Sequence, residues 1–267
     1  MITPARTFRF HAQLALTLAT AAFMVVPVVM SLLAGVTENY FVGVQSGLTM
    51  RWVAKVWDMY EPTVWLSLRI AVVCLASTLV LGVPLAYVLC RHTGSMTRLL
   101  EELLVLPVAV PGLATALGLI LAYGDWTAFR TSWWFILTGH VLFTLPFMVR
   151  AVLAVLAAID LQGLEEAAAS LGAKFFYRFA TVIVPNSVPG IVAGALTVLT
   201  LSIGEFNLTW MLHTPLTQTL PVGLADSYAS MRLEIASAYT LIFLLMLFPL
   251  LVGVQLAGKR LGGREPE

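Results

Sequence analysis

Six stretches of this chain stay apolar for more than twenty residues each, and that property limits its fold more than any other. A helix of about 20 apolar residues crosses the hydrocarbon core of a bilayer. In hydrocarbon every main-chain polar group must be paired within the structure, which for separate apolar stretches means helices. Composition agrees: 60% of residues are hydrophobic and 11% charged. The expected fold class is therefore an all-α integral membrane protein with six transmembrane helices. A net charge of +1 carries no electrostatic footprint for nucleic acid.

The expected organisation is an N-terminal segment 1–13, a transmembrane domain 14–257 and a tail 258–267. The spans fall at about 14–36, 63–90, 103–123, 133–159, 182–204 and 235–257. The first is long enough to cross a bilayer and stay there, whereas a cleavable signal has an apolar region of about 7–15 residues. Between the first two spans, Trp52, Val53, Val56 and Trp57 suggest a helix lying at the interface. Pro107 and Pro111 imply a kinked or broken third helix, and Pro146 a kink in the fourth. Gly190 and Gly194 make a GxxxG step suited to close helix contact. Cys74 and Cys90 lie sixteen residues apart on one expected helix, roughly 24 Å at helical rise. They cannot bridge each other.

With the N-terminus inside, ten Lys and Arg residues fall on inner segments (Arg6, Arg9, Arg91, Arg98, Arg150, Lys174, Arg178, Lys259, Arg260 and Arg264). Four fall outside: Arg51, Lys55, Arg130 and Arg232. The bias follows the positive-inside rule, so both termini and the loop 160–181 are expected in the cytoplasm.

That loop leads into DLQGLEEAAASLGAKFFYRFATVIVPNSVP, residues 160–189. Asp160 is suited to cap a helix on which Leu164, Ala168 and Leu171 share a face. Glu165 and Glu166 lie beside that face, directed to water or a partner. Gly172 is the expected left-handed stop. A second short helix follows from Ala173 to about Thr181. It has Phe175, Phe176 and Phe179 on one arc and Lys174, Tyr177 and Arg178 on the other.

Glu166-Ala167-Ala168, three residues, Gly172, nine residues and Val182-Ile183-Val184-Pro185 resemble the EAA loop of permease subunits in bacterial ABC importers. Val182 and Val184 replace the family's Ile and Leu; the spacing is intact. The resemblance implies the type I permease bundle, with the loop as a coupling helix pair that docks in a cleft of a separate ATPase. Glu165, Glu166, Ala167, Ala168, Gly172, Phe175 and Pro185 become the candidate ATPase-coupling residues. It also implies two ATP-binding cassette subunits, a homologous or identical second permease and a periplasmic substrate-binding protein. The setting is the bacterial inner membrane.

GVPLAYVLCR, LPVAVPG, TLPFMVRAVLAVLAAID and IGEFNLTWMLHTPLTQTLPVGLAD narrow the resemblance to permeases of polyamine and 2-aminoethylphosphonate importers. Ferric iron and oxyanion (sulfate or molybdate) importers share much of the pattern. Glu205 and Asn207, near the outer mouth, are candidates for a substrate path or gate, with loop structure as the plain alternative. Arg69 and His140 are weighed the same way, against a snorkelling or salt-bridged arginine and a satisfied bundle histidine.

No G-x-x-x-x-G-K-[ST] phosphate loop, H-E-x-x-H or G-x-S-x-G occurs, and the four histidines are scattered. No catalytic set or metal site is expected in this chain; ATP and Mg belong to the partner ATPase. An ATP-independent channel would need coupling acids at mid-membrane, and a membrane enzyme an intramembrane catalytic pair. Neither is evident.

Overall fold

The computed structural model describes residues 4–92 and 94–261. Residues 1–3 of the expected N-terminal segment and 262–267 of the expected tail, with Arg264, lie outside the described residues, as do the side chains of Arg6 and Arg9. The described residues are almost wholly helical. In order they form α1 (Pro4–Ala34), α2 (Arg51–Arg91), α3 (Ser95–Ala109), α4 (Gly112–Tyr123), α5 (Thr127–Arg130) and α6 (Trp133–Leu156). There follow α7 (Leu161–Ser170), α8 (Phe175–Arg178), α9 (Val184–Gly204), α10 (Asn207–Leu212), α11 (Leu220–Ala229) and α12 (Leu233–Leu261). Among the described residues five helices are long and apolar enough to cross a membrane, and six spans result if the bent pair α3 and α4 counts as one.

Two expectations change, and one, the broken third span, is met. The interfacial helix expected before the second span is instead the first part of α2, continuous from Arg51. Pro62 lies inside α2, where its missing N–H leaves the Asp58 carbonyl without its α-helical donor. The expected third span is two helices bent by 104° at Val110–Pro111. The residue before a proline is pushed out of the helical region, and Val110 is accordingly extended (φ −85°, ψ 133°). The Pro111 carbonyl then accepts from Ala114 and Thr115 to start α4. The outer loop expected over 205–234 is also largely helical, holding α10 and α11.

The chain packs as two units, Met1–Glu61 with Leu224–Leu244 and Pro62–Gly223 with Leu245–Glu267; their boundaries fall inside α2, α11 and α12. In the first unit Tyr40 N donates to Glu234 Oε1 (3.0 Å), and Trp52 Nε1 to the Thr37 carbonyl (2.9 Å). Arg232 reaches the Tyr60 hydroxyl (2.7 Å) and Asp226 (3.4 Å).

The second unit is built on α6 against α9. A Cβ on Gly190 would stand 2.6 Å from the Ala151 carbonyl oxygen, and one on Gly194 2.7 Å from Met148 Sδ. The GxxxG step therefore sets the approach of these helices, as its spacing suggests. A buried polar knot ties the same pair to α10. His140 Nδ1 bonds Ser202 Oγ (2.9 Å), and Nε2 bonds Thr209 Oγ1 (2.7 Å). Thr144 Oγ1 donates to the His140 carbonyl (2.7 Å) and contacts Cys74 Sγ (3.2 Å).

Gly190→Ala should destabilise the protein by about 1–3 kcal/mol, because backbone atoms opposite it cannot yield. Gly118→Ala, where a Cβ meets nothing within 4 Å, should be neutral or gain up to about 1 kcal/mol of helix propensity. His140→Leu should cost about 1 kcal/mol, the sum of two intramembrane hydrogen bonds. Thermal unfolding of the detergent-purified protein checks all three.

Candidate functional site

The corner between α7 and α8 is set by local chemistry at both ends of α7. Asp160 Oδ1 accepts from Gly163 N (3.0 Å) and caps its start, as its position suggests. At the other end Gly172 has φ +79°. Ala173 N donates to the Ala168 carbonyl (3.1 Å), and Gly172 N to the Ala169 carbonyl (2.9 Å). This is the paired Schellman closure, and it places a left-handed glycine at the turn.

The face of α7 that packs inward is not the expected one. Leu161 and Glu165 are buried and Ala168 half-buried. That row is again i, i+4, i+7, but starts three residues earlier. Leu164 is exposed, and Leu171 is 88% exposed. Glu165 does not point to water: it is 3% exposed. Its Oε1 accepts from the Tyr87 hydroxyl (2.9 Å), and Oε2 pairs with Arg91 Nε (3.3 Å). Arg178 Nη1 donates to the Glu165 carbonyl (3.3 Å). A hydrophobic-period reading could not assign a carboxylate to the inner face. Tyr87 and Arg91, one turn apart at the end of α2, carry the signal that it missed. Glu166 is exposed, and its Oε1 accepts from Gln162 Nε2 (2.8 Å). Ala167 is exposed beside it.

The expected second helix, 173–181, is not a separate element. After α8 the chain makes a π turn, Phe179–Ile183, and runs on into α9. Val184 N donates to the Phe179 carbonyl, one residue wider than an α turn. Pro185, exposed in the first turn of α9, has no N–H for an α-helical bond at this point. Asn186 Nδ2 donates to the Val182 carbonyl one turn back (2.7 Å). The arcs also divide differently. Phe175 and Phe179 meet Tyr87 (ring centroids 6.0 and 5.9 Å), while Phe176 is 83% exposed and Arg178 turns inward. A hollow of about 570 Å³ opens at the corner, lined by Ala168, Leu171, Gly172, Lys174, Tyr177 and Thr181 among others.

The candidates for the substrate path divide. Glu205 Oε1 accepts from Leu208 N (2.8 Å), so it caps α10. Arg130 Nη1 donates to the Leu212 carbonyl at the other end of α10 (2.7 Å). Asn207 opens α10 and is exposed. His140 reaches α10 through Thr209, with both ring nitrogens engaged. Arg69 is not part of this group; its guanidinium lies 5.8 Å over the Trp133 ring. No cluster of His, Cys, Asp and Glu that could hold a metal occurs among the described residues.

Comparison with known proteins adds the family. PhnV of Salmonella paratyphi A, named as a permease of a 2-aminoethylphosphonate transport system, is 28% identical over 230 residues, covering 86% of this chain and 82% of its own. The molybdenum transport system permease ModB of Escherichia coli K12 is 31% identical over 158 residues, covering 55% of this chain and 69% of its own. A bacterial ABC transporter involved in import of the acidic polysaccharide alginate has a chain of the same fold. It superposes with a TM-score of 0.73 at 14% identity, covering 96% of each chain. Residues 78–263, which hold the α7–α8 corner and the α10 region, match the binding-protein-dependent transport system inner membrane component family, and the chain belongs to that family of ABC importer permeases.

Proposed function

We propose that this permease docks a separate ATPase through the α7–α8 corner and forms half of an import path for a small phosphonate, 2-aminoethylphosphonate first. The observation that carries the docking is the corner itself. Leu171, Phe176 and Tyr177 stand exposed around the Gly172 turn, beside the hollow, where a partner can cover them. Exposed apolar side chains grouped in this way mark an interaction site. Glu166 projects from the same helix, free to meet a cation across the interface. ATP and Mg are bound by two partner ATPases, and a second permease, homologous or identical, completes the path. A periplasmic binding protein delivers substrate to the outer mouth. Both termini face the cytoplasm, in keeping with the ten-to-four charge bias.

The mechanism is alternating access. ATP-driven closure of the ATPases pushes α7, and the push passes along the continuous segment from Phe175 to Gly204 into the bundle. To be useful the nucleotide must favour one state over the other by several kcal/mol. Glu205 sets α10 at the outer mouth and Asn207 faces the path. The substrate reading rests on likeness to PhnV across 86% of the chain. A molybdate-type oxyanion is the second reading, from likeness to ModB over 55%.

Leu171→Asp should leave thermal stability unchanged, because the side chain is already in water, while weakening ATPase co-purification about tenfold or more. Gly172→Asp should lose both ATPase and uptake. Normal co-purification with both variants would overturn the docking assignment. Uptake of labelled 2-aminoethylphosphonate by cells carrying the full transporter, abolished by Leu171→Asp, is the expected substrate result. Uptake of molybdate in its place would move the reading to the oxyanion class.

A further inference from the structure

The buried carboxylate on α7 has no part in docking as described. Glu165 lies on the inner side of the helix, opposite the exposed corner. It is bonded to two side chains of α2, Tyr87 and Arg91, more than seventy residues earlier in the chain. A buried ion pair is a poor way to gain stability, since apolar residues of similar size often serve as well or better. Its best-attested use is to fix one register between elements. Here the register is between the short helix at the docking corner and the inner end of a 41-residue helix.

The covalent routes out of α7 lead elsewhere. Its N-terminus joins α6 through a four-residue link, 157–160, and its C-terminus leads through α8 and the π turn to α9. The Tyr87 and Arg91 bonds tie this helix to α2 instead. Two buried atoms, Glu165 Oε2 and Arg178 Nε, make no hydrogen bond among the described residues. Glu165 Oε2 is nevertheless ion-paired with Arg91, so the atom left over is Arg178 Nε.

We propose that Glu165 is a positioning residue, a strut that ties α7 to the inner end of α2, so that motion imposed on the docking corner reaches α2 as well as α9. This rests on the coupling role proposed above. The strut transmits; it does not bind the ATPase. Tyr87 and Arg91 are its seat, and the aromatic contacts of Tyr87 with Phe175 and Phe179 hold that seat against α8 and the π turn.

The test uses the intact transporter in membranes and a reporter already present. Cys90 lies one residue from Arg91 and is half-buried, whereas Cys74 is fully buried. The rate at which a thiol reagent modifies Cys90 is measured with and without ATP–vanadate trapping. Wild type should show a nucleotide-dependent change of about fivefold or more. In Glu165→Gln and Glu165→Ala the ATPase should still co-purify and hydrolyse ATP, but the change at Cys90 should collapse towards one. The swap Glu165→Arg with Arg91→Glu should restore part of it, which a merely structural role would not require. An unchanged Cys90 response in the Glu165 variants overturns the strut, as does loss of ATPase binding, which would make Glu165 a docking residue. A wild-type complex whose Cys90 ignores nucleotide also overturns it. Failure of wild type to hold any ATPase overturns the coupling reading itself, and the strut with it.

Discussion

In hydrocarbon no main-chain amide or carbonyl can be left without a partner, and the course of this chain follows from how each break in a helix is repaired. At Val110–Pro111 the helix stops, and the Pro111 carbonyl at once takes two amides of the next. Before Pro185 the helix widens into a π turn, in which the Val184 amide reaches back to the Phe179 carbonyl. Between α9 and α10 the break is closed by Glu205 on one end of the short helix and Arg130 on the other. At Gly172 the two closing bonds of the turn take up the last carbonyls of α7. Glu205, a functional candidate at one of these breaks, has a backbone amide to satisfy first. That explains why Glu205 reads as a cap as soon as its bonds are seen.

The spans were legible because length and apolarity are one-dimensional properties. The same holds for the caps: Asp160 and Gly172 announce themselves by residue type, and the structure finds both where expected. What the sequence hid was orientation. Leu164, Ala168 and Leu171 form a plausible inward row, yet the inward row is Leu161, Glu165 and Ala168. A pattern of apolar spacing cannot choose between two rows when the correct one has a carboxylate at its centre. The partners that make Glu165 tolerable inside, Tyr87 and Arg91, lie in another span. The continuity of α8 with α9 was hidden for a related reason. Pro185 looks like a boundary, and only the π turn shows how a helix passes it.

His140 and Glu165 illustrate two uses of a buried polar group. His140 has two hydroxyl partners, one for each ring nitrogen, and closes a knot among helices that already pack tightly through Gly190 and Gly194. Such a group specifies one arrangement. Glu165 joins α7 to α2 by one hydrogen bond and one ion pair, beside an Arg178 Nε that has no hydrogen bond among the described residues. That kind of group permits a second arrangement at little loss.

The outward corner of α7 and α8 has a consequence for the life of the chain before it reaches its partners. Leu171 and Phe176 are nearly fully exposed, and grouped apolar side chains left uncovered are an aggregation liability. A permease whose docking surface is hydrophobic cannot wait long uncovered. On the docking proposed above, its abundance is tied to the supply of the ATPase that would cover it, and the same surface limits how much of the chain can accumulate unassembled.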